Sequence, residues 1–284
     1  MNRLRARKAA DRSLYSLMVF ASAVVGAALV GIIAYILIQS VGKPEDSGSA
    51  VVFFPGIRGL LPMIVSTAWT VVVSLAIALP AGIMTAIYLH EYAPKSGFSR
   101  ILSLAIDTLA GIPSIIYGLF GLLLFCRVLN LGQSIIAGGL TLSIMILPVI
   151  IRTTVEALKT VPDSFREGSL SLGATKFQTI IHAVLPPSLP GILTAAILAV
   201  GRVVGESAPV LFTVGIARNL PKSIFEPGRT LTIHLYYLTK EAVAPDDFAQ
   251  AFTAAAVLII LILIINSLVK IMGKGFGYTG ENID

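Results

Sequence analysis

The sequence predicts an all-α membrane protein with about six transmembrane helices. Three observations carry that prediction. Of 284 residues, 56% are hydrophobic and only 13% charged, whereas a soluble domain is about one quarter charged. The apolar residues come in several runs of the roughly 20 needed to cross a bilayer. Finally, lysine and arginine are distributed unevenly over alternate loops, as the positive-inside rule requires.

The elements follow in order. Residues 1–13 form a basic head, expected to be cytoplasmic. The first span is Leu14–Ile38; it exceeds the 7–15 apolar residues, roughly, of a signal peptide and contains Ala21-Ser22-Ala23 internally, so it reads as an uncleaved helix. The second, Leu60–Leu89, is uncharged and contains Pro62 and Pro80. The third, Ile101–Phe125, carries Asp107, read as a helix N-terminal charge, and Pro113. The fourth is Val128–Ile151, the fifth Gly191–Ile216 and the sixth Phe248–Val269. With the N-terminus inside, thirteen of the 21 Lys and Arg fall on the inner side, seven on the outer side, and Arg202 within the membrane. Residues 14–284 then read as one transmembrane domain in the cytoplasmic (inner) membrane, with both termini cytoplasmic. Its two long connections are an inner one, 152–190, and an outer one, 217–250.

Several functions are excluded. The net charge of +6 is explained by cytoplasmic loops and needs no nucleic acid. The single Cys126 forms no internal disulfide and reads as a buried hydrophobe. His90, His182 and His234 lack metal-ligand spacing. The phosphate-binding pattern G-x-x-x-x-G-K-[ST] does not occur: Gly42-Lys43 and Gly273-Lys274 are followed by proline and glycine. The sequence has no recognisable internal repeat, a feature common in secondary transporters.

The inner connection carries helix-start signals. Ser164 precedes Glu167 by three places and Thr175 precedes Gln178 by three, each fitting a capping box. Gly173 stands where a helix ends with positive φ, and Pro186 and Pro187 are expected to end the second helix. The predicted shape is helix, tight turn, helix, with Leu170, Leu172, Phe177, Ile181 and Val184 as apolar surface. Such a hairpin is either an ordinary connection packed on its own bundle or a docking element for a cytoplasmic partner. The fifth span poses a second question, because it accepts Arg202 and Glu206. A spacing of four puts them on one helix face, flanked by Gly201 and Gly205, which let a neighbouring helix approach. They are either a self-neutralising pair or a transport pathway; buried ion pairs gain little over apolar packing, and intramembrane charges mark pathways.

The inner loop resembles the "EAA" signature of ABC-importer permeases. Glu167-Gly168-Ser169 takes the E-A-A place, Gly173 the glycine and Leu185-Pro186 the terminal pair, with departures at Gly168, Ser169 and Ala183. The stretches PSIIYGLFG (113–121), PVIIRTTVEALKTVP (148–162) and GRVVGESAPVLFT (201–213) are similar to PstA-type permeases of bacterial phosphate importers. The resemblance implies a type I-like ABC-permease fold and an ATPase-coupling role for Glu167, Gly168, Ser169, Gly173, Leu185 and Pro186. It also implies a substrate path through Arg202 and Glu206, in which Arg202 exchanges an acid for phosphate. The implied partners are a second permease (PstC-type), an ATPase dimer (PstB-type) and an extracytoplasmic phosphate-binding protein (PstS-type) touching 217–250. No cofactor is expected on this chain, ATP and Mg being held by the partner ATPase. Other readings are a permease for sulfate or molybdate and an ion-coupled secondary transporter.

Overall fold

The computed structural model describes residues 2–40, 57–93, 97–241 and 245–275, among which there are eleven α-helices and no strand. Lys43, Lys95, the residues beyond 275 and the side chains of most of the basic head lie outside that description. Helix α1 spans Asn2–Ser40, so head and first span form one continuous helix. Its apolar length is unburied by the rest of the chain, and it leans on the final helix through Tyr35 and Phe252, ring centroids 5.7 Å apart. That surface suits lipid.

Helix α2, Ile57–Ile87, continues through a π-helical turn, Tyr88–Tyr92. Its buried Ser66, Thr67, Thr70 and Ser74 each donate to the carbonyl four residues back, at 2.7–2.8 Å. Polar side chains are thereby satisfied where no water is available. Helices α3 (Gly97–Ala110) and α4 (Ser114–Gly121, extended by the π-turn Leu122–Val128) meet at a bend of 101°. The expected third span is thus a broken pair. Pro113 occupies the N-cap of α4, where its missing N–H costs nothing, and Tyr117 Oη donates to Leu109 O at 2.7 Å across the bend. Asp107 sits late in α3, not at its start, and bonds Arg152.

Helix α5, Ile135–Lys159, is the centre of the bundle; Ile135, Leu142, Ile146 and Ile150 are fully buried. It starts seven residues later than the expected Val128, which belongs to the preceding π-turn. Small residues bring its neighbours close: a Cβ on Gly139 would lie 2.3 Å from Val73, and one on Gly191 2.3 Å from Ala157. After α6 (Asp163–Ser171) and α7 (Lys176–Thr179), a π-turn, Ile180–Val184, leads directly into α8 (Leu185–Gly205). Pro186 and Pro187 therefore open a helix and do not end one, since the first turn has no need of their N–H groups.

The expected fifth span is also broken. Helix α8 stops at Gly205, two residues intervene, and the short α9 (Ala208–Thr213) packs on α4 and α5. Gly191 abuts Ala157, so at 1.5 Å per residue α8 rises roughly 21 Å beyond that contact while α5 extends roughly 33 Å the same way. The break at Glu206 thus lies at depth, well short of the end of α5. The strap 215–230 folds back over that end, where Glu226 O and Ile224 O accept from the free N–H groups of Ile135 and Ile136. Helix α10 (Leu231–Glu241) is held by Thr67 Oγ1, which accepts from Leu231 N at 2.9 Å. Helix α11, Pro245–Gly275, closes the bundle. The segment 217–250, expected as a loop, is thus largely built into the bundle. Among the described residues, five helices are long and apolar enough to cross a membrane, and six segments if the bent pair counts as one.

Candidate functional site

The six residues matched to the coupling signature form one hairpin with Pro162–Leu172. Helix α6 starts at N-cap Pro162 with no side-chain cap, so the expected Ser164–Glu167 capping box is absent and Ser164 lies within the helix. Gly173 has φ +84°, the left-handed turn that glycine adopts without strain. The second capping box is formed: Gln178 N donates to Thr175 Oγ1 at 3.3 Å and Thr175 N to Gln178 Oε1 at 2.8 Å. Ser169 Oγ and Thr179 Oγ1, 2.9 Å apart, join the two arms. Leu185 and Pro186 stand at the root, where Val184 is buried against Leu158 and Val161.

The tip is otherwise uncovered. Leu172 is 90% exposed, and Phe165, Leu170 and Phe177 are at least half exposed. Glu167 is exposed, and a Cβ on Gly168 would meet nothing within 4 Å. The small residue at 168 is thus not required by packing within this chain; the apolar tip is a face without a partner among the described residues.

Sequence reasoning missed the anchor of this hairpin. Arg166 donates from Nη2 and Nε to Glu91 Oε1 at 2.7 and 3.1 Å, from Nη1 to Val161 O at 2.8 Å and from Nη2 to Leu158 O at 3.0 Å. The two side chains are 14% and 8% exposed. Bonding to Glu91 raises the Arg166 pKa above the ordinary guanidinium value. The pair ties α6 to the end of α2 and to the exit of α5. Glu91 and Arg166 are 75 positions apart, with no local pattern to connect them.

At the other site, Arg202 occupies the last turn of α8 and Glu206 is its extended C-cap, ψ 135°. They therefore do not share a helix face, as the spacing of four implied; the chain turns away between them. Arg202 Nε stands 3.9 Å from Glu206 Oε1, with side chains 39% and 17% exposed. Arg202 makes no hydrogen bond among the described residues. Gly201 and Gly205 have open space where a Cβ would be. The helix thus ends, short of the end of α5, in a loosely paired and partly exposed cation, an arrangement tolerated in a membrane only where backbone borders protein or a cavity. Cys126 is buried, as expected.

A broken helix at depth, an open face beside it and an unpartnered apolar hairpin define a membrane-spanning subunit that works within a larger assembly. The chain belongs to the family of binding-protein-dependent transport system inner membrane components, whose model matches residues 78–277. It is 32% identical to the probable ABC transporter permease protein YqgI of Bacillus subtilis, over 94% of this chain and 96% of that one. It is 41% identical to the phosphate transport system permease protein PstA of Mycobacterium leprae over 69% of this chain and 64% of the relative. Its fold is shared with a chain of the methionine ABC transporter MetNI in an inward-facing conformation, at a TM-score of 0.62 and 22% identity, covering 78% of this chain and 96% of the other. The all-α permease architecture of about six spans expected from the sequence is thus correct, with the third span a bent pair and the fifth ending at Gly205.

Proposed function

We propose that this chain is the transmembrane permease subunit of an ATP-driven phosphate importer. The observation that carries the reading is Arg202. It is a cation at the C-terminal end of α8, where that helix breaks off short of the end of α5, and it is 39% exposed with only a 3.9 Å contact to Glu206. A planar guanidinium binds tetrahedral oxyanions by donating paired hydrogen bonds. A dry path opposes an anion, so one exchangeable cation lowers that barrier, and a nearby carboxylate keeps the site weak enough to release. The similarity to the M. leprae phosphate permease supports phosphate as the cargo. The open face at Gly201 and Gly205 is assigned to a second, PstC-type permease. The Leu172–Phe177 tip is assigned to a PstB-type ATPase dimer, which supplies the ATP and Mg chemistry. A PstS-type binding protein delivers phosphate at the opposite end, where the strap exposes Ile216 and Phe225. Both termini then face the cytoplasm, with 1–13 as the basic head and 152–190 as the coupling region.

Arg202→Gln tests this. Uptake by the reconstituted complex is expected to vanish while co-purification of all subunits and ATP binding persist; normal uptake would remove Arg202 from the path. Glu206→Gln is expected to raise ATP hydrolysis without raising transport.

A further inference from the structure

A second group of cations lies away from Arg202, between the start of α2, the strap, α10 and α11. Arg229 is 3% exposed, and its Nε has no hydrogen-bond partner. Its guanidinium lies 4.5 Å over the Tyr237 ring, and among the described residues no carboxylate pairs with it; Glu241 acts on it only at range. His234 Nδ1 is likewise buried without a partner. His234 faces a cavity of about 200 Å³, shared with Arg218, Gln250, Thr253, Gly59, Leu60 and Met63. Arg218 is exposed at the rim and makes no ion pair among the described residues.

Burying a cation without a counter-charge is costly. Among the described residues Arg229 is buried without a paired carboxylate, and Arg218 and His234 line one cavity beside it, a site with room for an anion. Burial and the two guanidinium groups hold His234 neutral, with a pKa pushed down to about 4, so the imidazole lines the cavity without adding a positive charge of its own. The cavity is smaller than the roughly 300–1,000 Å³ of organic-ligand pockets, which favours a small inorganic ion. Helix α10, which carries His234, is tied to the end of α8: Thr232 Oγ1, on its first turn, donates to Val204 O at 2.6 Å.

We propose that Arg218, His234 and Arg229 form a separate station for a tetrahedral oxyanion, occupied before the anion reaches Arg202. Under the reading above the anion is phosphate, and the station lies on the extracytoplasmic side. Arg218 captures at the exposed rim, His234 orients, and Arg229 supplies charge from behind. Because Arg229 stacks on Tyr237 and does not fork around the ligand, the grip is weak and release inward is easy.

Gln250 is exposed at the rim, and the one native cysteine is buried. Gln250→Cys in the full reconstituted complex is therefore labelled selectively by a charged methanethiosulfonate. Inorganic phosphate at ten times its Kd is expected to slow labelling about tenfold, because only the empty site reacts. Arg218→Gln, a substitution at an exposed position, is expected to abolish the protection while leaving subunit assembly intact. If sulfate protects and drives ATP hydrolysis while phosphate does neither, the station stands and phosphate falls as the cargo. Protection that survives Arg218→Gln, or that comes only from the binding protein, or none from any oxyanion, overturns the station.

Discussion

Replacing Arg166 by glutamine removes the guanidinium that joins Glu91, Val161 and Leu158, and leaves the Glu91 carboxylate in a pocket where it is 8% exposed. Breaking a buried pair on one side costs about 3–5 kcal/mol. Arg166 retains 14% exposure and His90 Nδ1 stands 3.0 Å from Glu91, so the low end applies, about 3 kcal/mol. That is roughly a hundredfold shift in the equilibrium between a seated and a loosened coupling hairpin. Under the proposed coupling role the consequence is loss of coupling, because this pair attaches α6 to α2 and α5. In proteoliposomes containing the whole complex, Arg166→Gln is expected to keep basal ATP hydrolysis while phosphate moved per ATP falls at least about tenfold. Glu91→Gln should behave alike, and the double variant should be less severe than the two losses combined, with a coupling of about 2 kcal/mol. Wild-type transport per ATP in Arg166→Gln, with the protein confirmed in the membrane, would refute this role of the pair.

Further outcomes follow from the same structure. Leu172→Asp, at a 90% exposed site, should change stability by less than about 0.5 kcal/mol, yet the ATPase subunit should no longer co-purify. Thr175→Ala removes the cap that closes α7 and should cost about 1 kcal/mol, read as faster amide exchange over 175–184 without loss of the complex. His234 has a folded pKa of about 4 against 6.5 when free, so the unfolded chain takes up the proton first. Stability is therefore full above pH 6.5 and is lost as pH falls towards 4, by up to about 2 kcal/mol at pH 5. His234→Gln should flatten the thermal midpoint of the detergent-solubilised protein between pH 7 and 5.

The helical spans were legible because hydrophobic length in a bilayer is a one-dimensional property. The hairpin was legible for a similar reason: Gly173 and the Thr175–Gln178 box act over three or four residues. What could not be read were breaks and pairings set by depth and distant contacts. Pro113 lies in an apolar run, and nothing local distinguishes a kink from the 101° bend pinned by Tyr117. Glu206 follows Arg202 at helical spacing, but the helix ends between them, so the expected shared face is absent. Pro186 looked like a helix stop because proline is tolerated equally well in a first turn, and only the preceding π-turn decides between them. Arg166 and Glu91 meet across 75 positions. Nothing local marks Arg229 as buried; only the inward fold of the strap buries it.

The most direct test of the central reading is uptake of radiolabelled phosphate into proteoliposomes bearing this chain, its second permease, the ATPase pair and the binding protein. The reading predicts accumulation that requires ATP and the binding protein, stimulation of ATP hydrolysis by phosphate and not by sulfate, and loss of both uptake and stimulation with Arg202→Gln. Phosphate accumulation driven by an ion gradient with this chain alone, or stimulation by sulfate in place of phosphate, would contradict it.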